Sequence, residues 1–366
     1  MTENSHDAPR LGTSVGILAT GMYVPPEVRR NDSWPSDVVA RWMEQRRARP
    51  IPPIPENLGE GARRVLRANA EHAGDPFQGT VERRVLAPDM TIFDMEERAA
   101  RDAIARSRID PMEIDLLLTH TVVPDHQMAN PACALHEQLG LSATCLSMHT
   151  EATAYSVLGQ LALAEASIAS GRARYALLVQ SCAATRLIEM DDPSSVLLGD
   201  GATAVVLGPV SPGRGFLSAV HYTEGRYPQS LIMSVPGGRW FDDGRARVHI
   251  GDPRQLYEAH LRIPDTCAES VLAALKRAGH ELTDVDFLCV FQGTPWLQRV
   301  VYEQLGLRDL EPLDIFHRFG YLSSAMIPAA LYVAEHEGKL ADGDLVVMTG
   351  GGTGMTYGAA VLRWGT

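Results

Sequence analysis

Short apolar runs opened by an acid recur along this chain. Ile114-Asp115-Leu116-Leu117-Leu118 reads like Val285-Asp286-Phe287-Leu288-Cys289, and both have the pattern of buried strands. His136-Glu137-Gln138-Leu139-Gly140-Leu141 is answered by Tyr302-Glu303-Gln304-Leu305-Gly306-Leu307, and Tyr175–Val179 by Leu345–Met348. Each series closes on a Gly-rich turn and a strand, Gly199–Leu207 and Gly354–Leu362. Four pairs in one order indicate an internal duplication, with an offset of 171 residues (115 to 286, 150 to 321). The periodicity predicts an opening strand from Val15 to Met22, ended by Pro25-Pro26. It predicts helices over 92–107, 131–139, 150–171, 256–278 and 327–336. Alternating strands and helices predict an α/β fold of two halves, roughly 1–210 and 211–366, with mostly parallel sheets covered on both faces.

One stretch breaks the pattern. Pro50, Pro52, Pro53 and Pro55 interrupt any helix, and nine arginines lie between residues 41 and 84. The remainder is ordinary for a globular chain: 366 residues with 45% hydrophobic suffice for two closely packed halves. A net charge of −12 argues against a general nucleic-acid binder. The start, Met1 to Asp7, lacks a charged-then-apolar leader pattern. The longest apolar run, Tyr155 to Ser170, contains Gln160 and Glu165, so no membrane span is expected. Five scattered cysteines without CxxC suggest a reducing, cytoplasmic setting with no disulfide frame or zinc site.

Some apparent motifs carry little. Gly350-Gly351-Gly352-Thr353-Gly354 lacks the spacing and strand–helix context of a dinucleotide loop. Asp191-Asp192 and Asp242-Asp243 read as solvated loop acids. The twelve histidines show no helical H-x3-H pair, so no metal site is predicted.

A resemblance adds more. Ile17-Leu18-Ala19-Thr20-Gly21-Met22-Tyr23-Val24-Pro25 followed by Arg30-Asn31 resembles the opening of ketoacyl-ACP synthase III, a branch of the thiolase superfamily. Gly79-Thr80-Val81-Glu82-Arg83-Arg84 is similar to its G-I-x-E-R-R element, and Asn130-Pro131-Ala132-Cys133 to the start of its third helix. Leu198–Ala202 and Gly350–Gly358 resemble its two Gly-rich turns. The likeness covers nearly the whole chain except about residues 43–78, which look inserted. It implies a thiolase-like five-layered αβαβα fold. It also implies a homodimer, or a heterodimer with a ketoacyl synthase paralogue.

In that family a cysteine nucleophile begins the long buried helix of the first half, where the helix end favours a thiolate. Counting back from Tyr155 places Thr150 there. The family histidine falls on Phe291, in Val290-Phe291-Gln292-Gly293-Thr294, and the family asparagine on Tyr321, in Gly320-Tyr321-Leu322-Ser323-Ser324. Phe291 donates no hydrogen bond and Tyr321 at most one, so decarboxylative condensation lacks its enolate donors. Thr150 is either a weak nucleophile or a helix N-cap. His149 is a base or a hydrogen-bonded residue of the turn, and Glu151 a base or an acid suited to a helix N-terminus. Gln292 polarises a carbonyl or simply packs. Cys133, Cys145, Cys182, Cys267 and Cys289 read as packing residues.

The resemblance further places Met128 at the position that reaches into a neighbouring subunit's acyl tunnel. Gly351, Gly352, Thr294 and Trp296 stand as substrate-facing candidates beside it. Arg46, Arg47, Arg63 and Arg64 either dock a phosphate-bearing acyl-CoA or acidic acyl carrier protein, or pair with nearby acids on a solvated helix. The insertion disrupts the region from which the family's nucleotide-holding indole and arginine come. No permanently bound cofactor is expected; the substrate is an acyl group on coenzyme A or phosphopantetheine. The reading that follows is a non-condensing acyltransferase of specialised metabolism, passing that group to a hydroxyl or amine. The alternatives are an inactive subunit paired with an active synthase, or another reaction, such as cyclisation or hydrolysis, in the same pocket.

Overall fold

The computed structural model describes residues 14–48, 53–126 and 128–366. The opening Met1–Asp7 segment, and Arg49, Pro50 and Pro52 of the proline-broken stretch, lie outside the described residues. The first half runs β1 (Val15–Tyr23), β2 (Val28–Arg30), α1 (Ser36–Arg47), α2 (Glu60–Glu71), β3 (Glu82–Arg84), α3 (Ile92–Ser107), β4 (Ile114–Thr121), α4 (Pro131–Leu139), β5 (Leu146–His149), α5 (Ser156–Ala169), β6 (Tyr175–Ala183) and β7 (Asp200–Pro209). The second runs β8 (Gly215–Tyr227), β9 (Ile232–Ser234), β10 (Arg247–His249), α6 (Pro253–Ala278), β11 (Phe287–Val290), α7 (Leu297–Leu305), α8 (Phe316–Phe319), α9 (Met326–His336), β12 (Leu345–Gly352) and β13 (Gly354–Arg363).

Two main sheets form, ordered β1-β7-β6-β4-β5 and β11-β12-β13-β8. Helices α5 and α9 pack between them, α3 and α4 cover the outside of the first, and α6 with α7 the outside of the second. That is the expected five-layered α/β fold. The expectation of mostly parallel sheets is corrected. β4 pairs in parallel with β5 and β6, and β11 with β12, whereas β1–β7, β6–β7, β12–β13 and β13–β8 are antiparallel. Adjacent strands β12 and β13 are joined by a tight turn, and such a turn can only reverse the chain.

Local signals explain the elements. Thr91 and Asp94 form a capping box at the head of α3, which turns Met95, Ala99 and Ala103 to the core. Asn130 caps α4, with Pro131 in its first turn. The repeated Leu-Gly-Leu is a shared helix stop: Gly140 and Gly306 take φ of 66° and 76° at the ends of α4 and α7. In each case the next leucine's N–H donates back, to the carbonyls of His136 and Tyr302.

Helix α1, whose Trp42 and Val38 join Trp34 and Val196 in a small core, leads into the inserted stretch, which supplies α2, packed on α6 and α7. At the far edge of the first sheet, β5 pairs only with β4 among the described residues and leaves Leu146 and Met148 57% and 45% exposed. No helix among the described residues is long and apolar enough to cross a membrane.

Glu96 lies fully inside α3, where Ser181 donates to its Oε1 at 2.6 Å. Burial pushes its carboxyl up to about 7, opposed by the Ser181 bond and reinforced by Asp125. Folding therefore takes up a proton, and stability should fall as pH rises from the usual carboxylate range through about 7. Glu96→Gln should remove that slope and gain at most about 3 kcal/mol at pH 8. Urea unfolding of both proteins at pH 5 and pH 8 tests this; identical pH slopes would refute it.

Candidate active site

Strand β5 ends at His149, and the chain continues through Thr150, Glu151 and Ala152 into a 3-10 turn, Thr153–Tyr155, before α5 starts at Ser156. Thr153 holds a left-handed φ of 50°. Glu151 accepts from the Thr153 N–H at 2.5 Å, and Ser156 Oγ from the Ala152 N–H at 2.8 Å. From the other half, the Thr353 N–H donates to Thr153 Oγ1 at 2.8 Å. The second half repeats this turn at Ser323–Ala325, with Ser323 at φ 52° before α9. The structural offset is 170 residues (153 to 323, 156 to 326), so Tyr321 answers Glu151.

Thr150 is therefore not where counting back placed it. Its N–H bonds the Thr119 carbonyl at 3.0 Å, which continues the β4–β5 pairing beyond β5. The helix begins six residues later, and the 3-10 turn ahead of it carries Thr153, Ala154 and Tyr155, none with a thiol. Thr150 is neither at the helix end nor its cap. Its Oγ1 accepts from Gln160 Nε2 at 2.9 Å, and Gln160 in turn accepts from Gln180.

Phe291 and Tyr321 meet edge to face, ring centroids 6.0 Å apart. Phe291 is buried and Tyr321 half-buried. Burial, reinforced by Cys182 and eased by a hydrogen bond with Ser323, drives the Tyr321 phenol far above its usual range, so it keeps its proton. Gln292 does not face a substrate. Its Nε2 donates to the Leu313 carbonyl at 2.7 Å, and its Oε1 accepts the N–H groups of Ile315 and Phe316 at 3.0 Å each. It holds the segment before α8 in place.

The Gly-rich turn serves close packing. A Cβ on Gly352 would stand 2.2 Å from Thr153 Oγ1, and one on Gly350 2.8 Å from the Phe291 Cβ. Gly351 is less confined, its nearest neighbour being the Thr356 carbonyl oxygen at 3.3 Å. Trp296 is core rather than substrate-facing: it is 5% exposed and packs edge-on against His260. Thr294 is half-buried with an unpartnered Oγ1. Met128 stands fully exposed on its loop at φ 80°.

The docking arginines are largely spent inside the chain. Arg63 pairs with Glu60, Arg64 with Glu60 and Glu303, and Arg46 donates to the Asp75 carbonyl. Arg299–Glu71 adds a further tie between α2 and α7. Arg47 alone of the four is exposed and makes no ion pair among the described residues. A cavity of about 450 Å³ lies beside α1, lined by Arg41, Trp42 and Arg247 but also by Glu189, Asp191 and Asp192. That mixed charge does not suit a phosphate group. Cys145, Cys182, Cys267 and Cys289 are packing residues, whereas Cys133, expected to pack, lies on the surface of α4. Burial raises Cys182 and Cys267 to about 12, and only Cys133 is exposed.

The structure also gathers a cluster in which His120 was not foreseen. In the β4–β5 register Thr119 faces His149, and this brings His120, His149 and Glu151 together. His120 is fully buried and His149 half-buried, with near-parallel rings. His149 Nδ1 bonds Thr119 Oγ1 at 3.1 Å, and His120 Nδ1 bonds the Thr150 carbonyl at 3.2 Å. Burial lowers His120 to about 4 and also lowers His149, while it raises Glu151. Burial thus disfavours the charged form of all three groups. The only sequence signal was a shared spacing between two paired strand ends, 119 and 149, which is invisible until the strands are paired.

Known proteins agree with this architecture. Residues 148–225 match the family 3-oxoacyl-[acyl-carrier-protein (ACP)] synthase III, and residues 275–364 its C-terminal part. The beta-ketoacyl-[acyl-carrier-protein] synthase III of Symbiobacterium thermophilum is 34% identical over 297 residues, 78% of this chain and 88% of that protein. The enzyme of the same name from Oceanobacillus iheyensis is 29% identical over 357 residues, covering 96% and 99%. The crystal structure of 3-oxoacyl-[acyl-carrier-protein] synthase III from Aquifex aeolicus superposes with a TM-score of 0.75 at 25% identity, covering 96% of this chain and all of that one. With its two halves, its paired turns and this extent of shared sequence, the chain belongs to the 3-oxoacyl-[acyl-carrier-protein] synthase III family.

Proposed function

We propose that this chain moves an acyl group from an acyl-CoA or acyl-carrier-protein thioester to a hydroxyl or amine acceptor, without forming a carbon–carbon bond. The observation that carries this reading is the Phe291–Tyr321 pair. It puts a ring without a donor, and a phenol that keeps its proton, where the family resemblance places the two enolate-stabilising donors. Acyl transfer needs no enolate. The acceptor's oxygen or nitrogen bonds to the thioester carbonyl carbon, the carbon–sulfur bond breaks, and the acceptor's proton ends on the departing thiol. The turn leading into α5 and the start of that helix carry no thiol, and Thr150 is engaged by Gln160, so the acceptor attacks the thioester directly.

The test is intact mass and thiol release with a panel of acyl-CoA and acyl-carrier donors, with and without small alcohols and amines. Expected are no adduct on the protein, thiol release that depends on the acceptor, and full activity in Thr150→Ala. An adduct on Thr150 that this variant abolishes would replace direct transfer by a covalent route. Decarboxylation of malonyl donors would overturn the reading altogether.

A second reading, a non-catalytic subunit of an active synthase, is favoured by the open edge of β5 with Leu146 and Met148 exposed. It predicts no turnover from the chain alone and turnover once a related synthase is added.

A further inference from the structure

We propose that His120, His149 and Glu151 form a site for a divalent transition-metal ion of the zinc type. One ligand atom from each lies within 4.8 Å of the other two. His120 sits next to the end of β4, His149 is the last residue of β5, and Glu151 follows two residues on, so a rigid parallel strand pair fixes two of the three donors. His120 Nδ1 bonds the Thr150 carbonyl, which leaves Nε2 as its ligand atom.

Two observations favour a ligand over a plain structural cluster. His120 is fully buried, yet its Nε2 has no hydrogen-bond partner. A histidine kept only for packing would be expected to satisfy both nitrogens. Outer contacts steady both rings, through the Thr150 carbonyl for His120 and Thr119 Oγ1 for His149, as is usual for metal-binding histidines.

The donor set selects the ion. Two imidazole nitrogens and one carboxylate suit zinc, cobalt, nickel or iron, and not calcium or magnesium, which take mainly oxygen. Three protein donors leave a fourth position open, and Glu151, with its side chain 58% exposed, gives that position access to solvent. The inference stands on these three residues and does not depend on the acyl-transfer reading.

Full-length protein stripped with a chelator and titrated with zinc chloride should bind one ion per chain by calorimetry. Cobalt(II) should give the intense visible bands of a four-coordinate site. His149→Ala and Glu151→Gln, both at accessible positions, should each weaken zinc binding by roughly 100-fold or more. Thermal unfolding without metal would show both variants folded, and zinc should raise the melting temperature of the parent only. His120→Ala is the less useful variant because its side chain is part of the core. Absence of zinc binding, or binding unchanged in both accessible variants, would overturn the site. Zinc binding without acyl transfer would leave the site standing and count against the transfer reading alone.

Discussion

Replacing Gln292 with leucine should cost the fold about 4 kcal/mol, since each buried polar group left without a partner costs about 1–3 kcal/mol. The near-equal side-chain volume keeps the packing, so the loss isolates the amide. The Ile315 and Phe316 N–H groups lose their acceptor, and the Leu313 carbonyl loses its donor. All three contacts are buried, so water does not readily replace them. The measurement is urea unfolding followed by tryptophan fluorescence. A midpoint and slope like the parent's would mean that these backbone groups find other partners and that the side chain is free for another task. The expected outcome separates Gln292 from the reacting groups, because a residue acting on substrate would lower turnover while leaving stability intact.

Gly352→Ala should be nearly as damaging, about 3 kcal/mol, by overpacking. The new methyl would fall 2.2 Å from Thr153 Oγ1, 2.4 Å from the Ala152 carbonyl oxygen and 3.1 Å from the Tyr155 nitrogen. Two of these are backbone atoms of the turn ahead of α5, so no side-chain rotation relieves the clash. The turn and the β12–β13 loop must separate, and the Thr353-to-Thr153 hydrogen bond between the halves goes with them. Acyl transfer should be lost as well. Gly351→Ala is the matched control, since its methyl would meet nothing closer than 3.3 Å. Equal losses of stability in the two variants would show that the close approach at Gly352 is not the cause.

Much of this was legible in the sequence, and the failures have physical reasons. The spans 92–107 and 131–139 were readable because capping residues mark both starts and a glycine marks the end of the second. The start of α5 was not. Residues 150–155 contain no Pro or Gly to mark a break, and what keeps Thr150 extended is a bond to Thr119 from another strand. The strand repeat at 171 residues and the turn repeat at 170 differ by one, enough to pair Tyr321 with the wrong neighbour. Strand β8, thirteen residues against β13, escaped because its half-buried alternation lacks an uninterrupted apolar run. The arginines of the insertion were read against acids nearby in sequence, but Arg64 also reaches Glu303, 239 residues away. His120 could be weighed only once β4 and β5 lay side by side.

The two left-handed turns, at Thr153 and Ser323, have a consequence for how such a protein changes over time. The strained Thr153 is held by the Glu151 carboxyl on its N–H, by the Thr353 N–H on its Oγ1 and by the close approach of Gly352, not by the side chains at 150 or 291. The scaffold and the reagents it displays are therefore separate inheritances. A lineage can discard one reaction and try another on the same frame while its overall resemblance to its ancestors barely moves. Kinship alone then says little about which reaction a given member performs.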